Sequence, residues 1–211
     1  MANEEEGTRL VQVAPESVSA LGAEGKEEEE DISALREWFE LIVRAAFWAV
    51  LLYLFVFQVS MVEGPSMQPN FQTDDKLVID KVSYRFTAVK RFDVVVFQAM
   101  DMDAPRGERE YKDYIKRVMG LPGEKIEVRA GKVYANGQEL KQGFGTEEIP
   151  SYYQDEFTVP PKHYFVMGDN RSNSKDSRSI GLGFVPESQI RGLVRLRFYP
   201  FGRFRWLGRG E

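Results

Sequence analysis

The 211-residue chain has no cysteine and a single histidine, His163. Without cysteine there is no disulfide framework, no thiolate metal site and no thiol nucleophile. One histidine cannot build a His-rich metal centre, and a Ser-His-Asp arrangement would have to run through His163, which lies in none of the motifs below. Internal repeats, a Gly-rich phosphate loop and an alternating βα pattern are also missing, so nucleotide binding has no support and neither a metal nor a cofactor is expected. No nucleic-acid partner is expected either.

Charge is unevenly spread. The formal net charge is −5, but residues 1–35 hold ten acidic and two basic side chains, which leaves the remaining 176 residues at +3. The acidic segment, with Glu4 to Glu6 and the run Glu27 to Asp31, has few bulky apolar residues and reads as a solvated, disordered tail over 1–35. It is unlike an Arg-rich organelle transit peptide.

Only one long apolar run is present. From Ala45 to Val62 the chain goes 18 residues without a charge, about 27 Å as a helix against a hydrocarbon core of roughly 30 Å. Apolar residues surround the helix rather than forming one face, so residues 36–62 read as a single transmembrane signal anchor and the lipid bilayer as a partner. No small-x-small site follows the span that would make it a cleavable signal. Arg36 and Arg44 precede the span and Lys76 is the first basic residue after it, which favours a cytoplasmic N-terminus.

Beyond Phe71 the pattern turns to β. Lys76–Asp80, Asp93–Phe97, Tyr114–Val118, Lys125–Arg129, Lys132–Ala135, Tyr164–Met167 and Ile190–Phe198 are short runs rich in β-branched and aromatic residues. Ala130-Gly131, Asn136-Gly137 and Leu121-Pro122-Gly123 supply turns, while 101–110 and 141–154 read as exposed loops. The expected fold is mostly β: one N-terminal transmembrane helix, then one β-rich domain over 63–211.

Three stretches could carry chemistry. Ser66 sits between Pro65 and Pro69 on a segment that Gly64 and the prolines bias away from helix or mid-sheet strand; it is either a surface-loop serine or one presented to a cleft. Lys116 stands inside an apolar β-run. A lysine there either points to solvent or pairs with an acid, or it is desolvated, which lowers its pKa and lets it act as a base. Serine with lysine is one of the variants of the Ser-His pair. The third stretch, Met167 to Arg178, is dense in charges and hydroxyls and is either a solvated loop or a hydrogen-bonded network.

Taken in order, Gly64-Pro-Ser-Met-Gln-Pro69, Asp93-Val-Val-Val-Phe97, Tyr114-Ile-Lys-Arg-Val-Met-Gly-Leu-Pro-Gly123, Asn136-Gly137 and Gly168-Asp-Asn-Arg-Ser-Asn-Ser-Lys-Asp-Ser-Arg178 resemble the bacterial type I signal peptidases, membrane-anchored serine-lysine endopeptidases. The resemblance covers 63 to about 200. It implies an enzyme that removes signal peptides from exported preproteins after a small-x-small (Ala-x-Ala) motif, anchored in the bacterial cytoplasmic membrane with its catalytic domain on the outer face. It further implies Ser66 as nucleophile, Lys116 as neutral general base, Ser174 as the hydroxyl orienting the lysine, and Arg117, Asp169, Arg171, Asp176 and Arg178 as braces. The oxyanion donors would be the Ser66 backbone N–H and a second group, for which Gly64 is a candidate because Pro65 has no N–H. Met67 is expected to help form a substrate pocket.

Three positions depart from the family pattern. Phe92 and Asp74 stand where glycine is usual, suggesting turns that do not need positive φ, and Asn70 replaces a common threonine. Two other readings are a catalytically inactive signal-peptide-binding module tethered to the membrane and a self-cleaving serine-lysine repressor. The second would carry a DNA-binding domain where this chain has its span.

Overall fold

The computed structural model describes residues 15–100, 110–129, 131–141, 143, 155–179 and 181–210, with side chains from Leu35 on. Most of the expected loops at 101–110 and 141–154 lies outside the described residues. The chain divides into two units, one up to Leu52 and one from Tyr53 to Glu211.

Helix α1 runs Pro15–Val56, and both of its ends differ from expectation. It starts inside the acidic segment. Proline is favoured in the first helical turn, and the Glu, Ala, Leu and Lys that follow are good helix formers, so composition suited to solvent is here compatible with helix. At the other end the uncharged run is not one helix, because Phe57–Met61 leaves it as strand β1. The part long and apolar enough to cross a membrane is Leu35–Val56, 22 residues, with Trp38, Phe39, Ile42, Phe47, Trp48 and Phe55 exposed. Glu40 within it is flanked by Arg36 at 3.4 Å and Arg44 at 2.8 Å, i,i+4 pairs that offset its charge.

The β unit is built on two antiparallel sheets. In the larger, β1 pairs with β2 (Lys76–Asp80), and the order continues through β11 (Ile190–Tyr199), β3 (Val94–Met100), β4 (Tyr111–Gly120), β9 (His163–Met167) and β10 (Val185–Pro186), with β12 (Arg205–Trp206) on β11. The smaller has the order β7 (Gln138–Glu139), β6 (Lys132–Ala135), β5 (Lys125–Arg129), β8 (Asp155–Thr158). Each of the seven apolar runs read from the sequence forms a strand. The β6–β7 hairpin turns on Asn136 and Gly137 at φ 49° and 79°, the two positive values that a type I′ turn requires. Helix α2 (Ser83–Phe86) lies against β11, where the Tyr84 hydroxyl donates to Ile190 O at 2.9 Å.

In the central strands both faces are covered, and the two-residue period decides which core a side chain joins: Val95 and Phe97 enter one, Val94 and Val96 another. Val62, Met67, Phe71, Leu77, Ile79, Val94, Val96, Val194 and Leu207 form one core layer, while Met119, Ile126, Val128, Val133, Phe165 and Met167 join the second sheet to the first.

The two turns in which Asp74 and Phe92 stand where glycine is usual adopt the left-handed backbone. Asp74 and Phe92 both have φ 70°, so the expectation that positive φ is not needed there is corrected. Hydrogen bonds set the geometry: Asp74 N–H donates to Val62 O at 3.0 Å and Phe92 N–H to Val118 O at 2.8 Å. The left-handed conformation costs on the order of 1 kcal/mol at each site. At Phe92, packing of the ring against the second-sheet core works against that cost.

Candidate active site

Ser66 is set by the turn that follows β1. Val62 N–H donates to Asp75 O at 2.9 Å, Gln68 N–H to Pro65 O at 3.0 Å and Phe71 N–H to Met67 O at 2.9 Å. Gly64, at φ 79°, supplies a backbone shape that other residues adopt only with strain. Ser66 thereby lines a cleft of about 820 Å³ whose walls include Gly64, Leu77, Val96, Tyr114 and Lys116.

Lys116 comes from β4, opposite Val95 of β3. Strand alternation sends Lys116 and Arg117 to opposite faces. The Lys116 side chain is buried, 2% exposed; its amine donates to Ser66 Oγ at 2.7 Å and to Ile115 O at 2.9 Å. Burial lowers its pKa from 10.5 to about 8, against the opposing pull of Asp176 and Asp169. Such an amine is partly neutral near pH 8, close enough to the hydroxyl to take its proton.

On the other face Arg117 forms a two-bond pair with Asp169, Nε to Oδ1 and Nη2 to Oδ2 each at 2.8 Å, and donates to Phe92 O at 2.9 Å. Asp176 accepts both Nε and Nη2 of Arg178 at 2.8 Å and the Gly168 N–H at 2.9 Å. Arg171 Nε donates to Gly168 O at 3.0 Å; burial pushes its pKa down to about 10, so it stays charged at neutral pH. Both carboxylates are fully buried. The polar stretch is therefore an internal network at Asp169, Arg171, Asp176 and Arg178, each held by directed hydrogen bonds, while Ser172, Asn173 and Lys175 are exposed.

A family model described as "Signal peptidase, peptidase S26" matches residues 35–199, well over half of the chain. The chain belongs to the signal peptidase family. The family's members are hydrolases that cleave signal peptides from preproteins. Among similar proteins, "Probable signal peptidase I-2" of Synechocystis sp. is 37% identical over 79% of this chain and 75% of its own length. "Signal peptidase I" of Bacillus amyloliquefaciens is 33% identical over 85% and 96%. A crystal structure of a signal peptidase I from Enterococcus faecalis V583 overlaps 49% of this chain and 94% of its own, at 32% identity and a TM-score of 0.38.

Within this signal peptidase family member, one residue named by resemblance lies elsewhere than expected. Met67 is fully buried in the core layer beneath the turn and does not line the cleft. The turn places Ser66 on its open side and its neighbour on the packed side. Ser174 Oγ is buried without a hydrogen-bond partner, so the bond orienting the lysine is not formed in this arrangement. His163 lies outside the cleft, its Nδ1 2.8 Å from Pro161 O.

Two asparagines escaped the sequence reading. Asn70, noted only as a departure, donates its amide to Asp169 Oδ2 at 2.9 Å. Asn170 N–H donates to Ser66 O at 3.1 Å and its amide to Pro65 O at 3.3 Å. They tie the Ser66 turn to the charged network. The signal available in the sequence was their position: Asn170 lies within a motif that carries the resemblance and Asn70 directly follows one.

Gly168 marks the closest approach. A Cβ there would stand 2.2 Å from Ser174 Oγ and 2.4 Å from Ser66 O, distances at which the Ser66 backbone must move. Gly168→Ala is expected to cut kcat/KM by about 10²-fold or more, since displacement of reacting groups by roughly 1 Å has that effect. Turnover of a preprotein peptide within threefold of wild type would show that the turn absorbs the methyl.

Proposed function

We propose that the protein cleaves signal peptides from exported preproteins after a small-x-small motif, with Ser66 as nucleophile and neutral Lys116 as general base. The observation that carries this reading is a buried amine 2.7 Å from the Ser66 hydroxyl, with its pKa lowered to about 8. Lys116 takes the proton as Oγ attacks the carbonyl of the residue before the cut. The ammonium then protonates the leaving amine, and a water activated by the same amine releases the acyl group. The backbone N–H groups of Ser66 and Gly64 have no partner among the described residues and are the proposed oxyanion donors. Ser174 Oγ, buried and unpaired, packs with Ser66 O against Gly168, and is the hydroxyl proposed to orient the amine. Arg117, Asp169, Arg171, Asp176 and Arg178 brace the site through the pairs described above.

An extended substrate adds to β4. Among the described residues, Tyr111–Lys116 pairs with β3 on one edge, whereas β9 takes up the other edge only over Arg117–Gly120; the substrate strand would add along that edge ahead of Arg117. Shallow apolar pockets would reject residues larger than alanine by overpacking. With Leu35–Val56 as a single span and its only basic residues, Arg36 and Arg44, in its N-terminal half, the N-terminus is cytoplasmic and the β unit lies on the outer face of the bacterial membrane. Tyr199, Phe201, Phe204 and Trp206 are exposed and interleaved with arginines, a composition suited to resting on lipid.

The test uses detergent-solubilised full-length protein and a preprotein with an Ala-x-Ala junction, the new N-terminus located by mass spectrometry. Wild type should cut after the final alanine and Ser66→Ala should be inactive. Folded wild-type protein that binds the signal peptide without cutting would instead identify a binding module.

A further inference from the structure

The cleft does not end at the level of Ser66 and Lys116. A second cavity, about 400 Å³, is lined by Lys81, Arg85, Arg191, Gln58, Gln98 and Asp113, and it shares Ile79, Val96, Gln98 and Asp113 with the catalytic cleft. The two are one groove. Among the described residues its far part is polar and basic: three cationic side chains face one carboxylate, Asp113. Lys81 Nζ reaches only Leu54 O, at 3.4 Å; Arg191 reaches the Gln98 amide oxygen, and Arg85 lies 5.8 Å from the centre of the Tyr84 ring. None of the three is paired with a carboxylate among the described residues.

The direction of the groove follows from the chain itself. Lys81 N–H donates to Val56 O at 2.8 Å, so the basic cavity adjoins the residues that open the β unit, those next in the chain after Leu52, while Ser66 lies past the other end of β1. A signal peptide approaches from the membrane, where its own apolar segment sits, and so must pass the basic cavity before its cleavage point reaches Ser66. The Gln98–Asp113 pair lies three residues along the β3–β4 ladder from Val95–Lys116, roughly 10 Å at about 3.4 Å per residue. An extended peptide with its scissile carbonyl at Ser66 therefore places the fourth to sixth residues before the cut in this cavity.

We propose that this cavity is a subsite for an acidic or amide side chain carried by the signal peptide four to six residues before the cut, and that it disfavours lysine and arginine there. The inference rests on the proposed peptidase reading. It adds a charge preference to a small-residue rule that does not contain one.

The experiment compares three peptides with the same Ala-x-Ala junction and Glu, Gln or Lys at the fifth residue before the cut, using full-length protein in neutral detergent. Wild type should favour Glu over Lys by on the order of tenfold in kcat/KM, mostly through KM, as expected for several exposed or half-exposed charge contacts acting together. The preference should shrink at high salt. In the double variant Lys81→Glu, Arg191→Glu, checked for folding by thermal unfolding, the order should invert. Equal rates for all three peptides overturn the subsite and leave the peptidase reading intact; no cleavage of any of them removes the peptidase reading itself. A wild-type preference unchanged in the double variant places recognition elsewhere. If the variant loses affinity for phosphatidylglycerol vesicles while the peptide preference stays the same, the cavity holds a lipid headgroup and the proposal fails. Should the double variant not fold, the wild-type peptide series and Arg191→Gln decide the matter.

Discussion

Lys116→Met is expected to lower kcat/KM at pH 8 by about 10³-fold or more, the scale of losing a general base with its nucleophile left unactivated, and to make the folded protein more stable near neutral pH. The two effects share one cause. Burial shifts the amine from 10.5 to about 8, so the unfolded chain holds the proton to about pH 10.5 and the folded chain releases it near 8. Between those values the unfolded state binds more protons, and stability rises with pH. Below pH 8 both states are protonated and the whole penalty of burying the ammonium remains, on the order of 3 kcal/mol at about 1.36 kcal/mol per pKa unit. Methionine, similar in length and uncharged, removes that penalty. Melting curves should show the variant above wild type at pH 7 and the gap closing as pH rises from 8 to 10.5. Wild-type activity should in turn climb about tenfold per pH unit below pH 8 and level off above it, because only the neutral amine accepts a proton. A rate flat from pH 6 to pH 10 would rule out Lys116 as the base.

Asp169→Ala is expected to destabilise the β unit by roughly 3–5 kcal/mol, the usual result of leaving one member of a buried ion pair behind. The Arg117 guanidinium, 3% exposed, loses the carboxylate that accepts its Nε and Nη2. The same carboxylate accepts the Asn70 amide, so the change also loosens the Ser66 turn, and activity should fall even where the variant remains folded. Replacing Arg117 and Asp169 together by apolar residues of similar volume should recover much of the stability, since no unpaired charge is left, without restoring the tie to Asn70. Chemical denaturation of the single and double variants separates these effects. A loss below about 1 kcal/mol for Asp169→Ala would mean that water or another acceptor replaces the carboxylate.

How much of this was legible in the sequence varies with the kind of information. Strands rich in β-branched residues and bounded by turn formers were read correctly because period and turn chemistry are local. The end of α1 was not. Phe57–Met61 continues an uncharged run, and only its pairing with β2, Phe57 opposite Asp80 through Met61 opposite Lys76, makes it a strand. Asp74 and Phe92 misled for a related reason. A residue's identity shows what its backbone prefers, whereas hydrogen bonds to Val62 and Val118 determine what it adopts.

The candidate site divides in the same way. The order and spacing of the motifs were enough, without coordinates, to single out Ser66, Lys116 and the charged residues around Asp169 and Asp176, and to place the chain beside the signal peptidases. The same sequence left Lys116 open between a solvated side chain and a desolvated one, because a strand's alternation defines two faces without saying which is covered. Tertiary structure decided that point. It brought an amine and a hydroxyl fifty residues apart to 2.7 Å, closed the core over Met67, and hid Asp169 and Asp176 from water. Propensity and pattern belong to the chain, but a pKa depends on what surrounds the group, and those surroundings exist only once distant strands have packed.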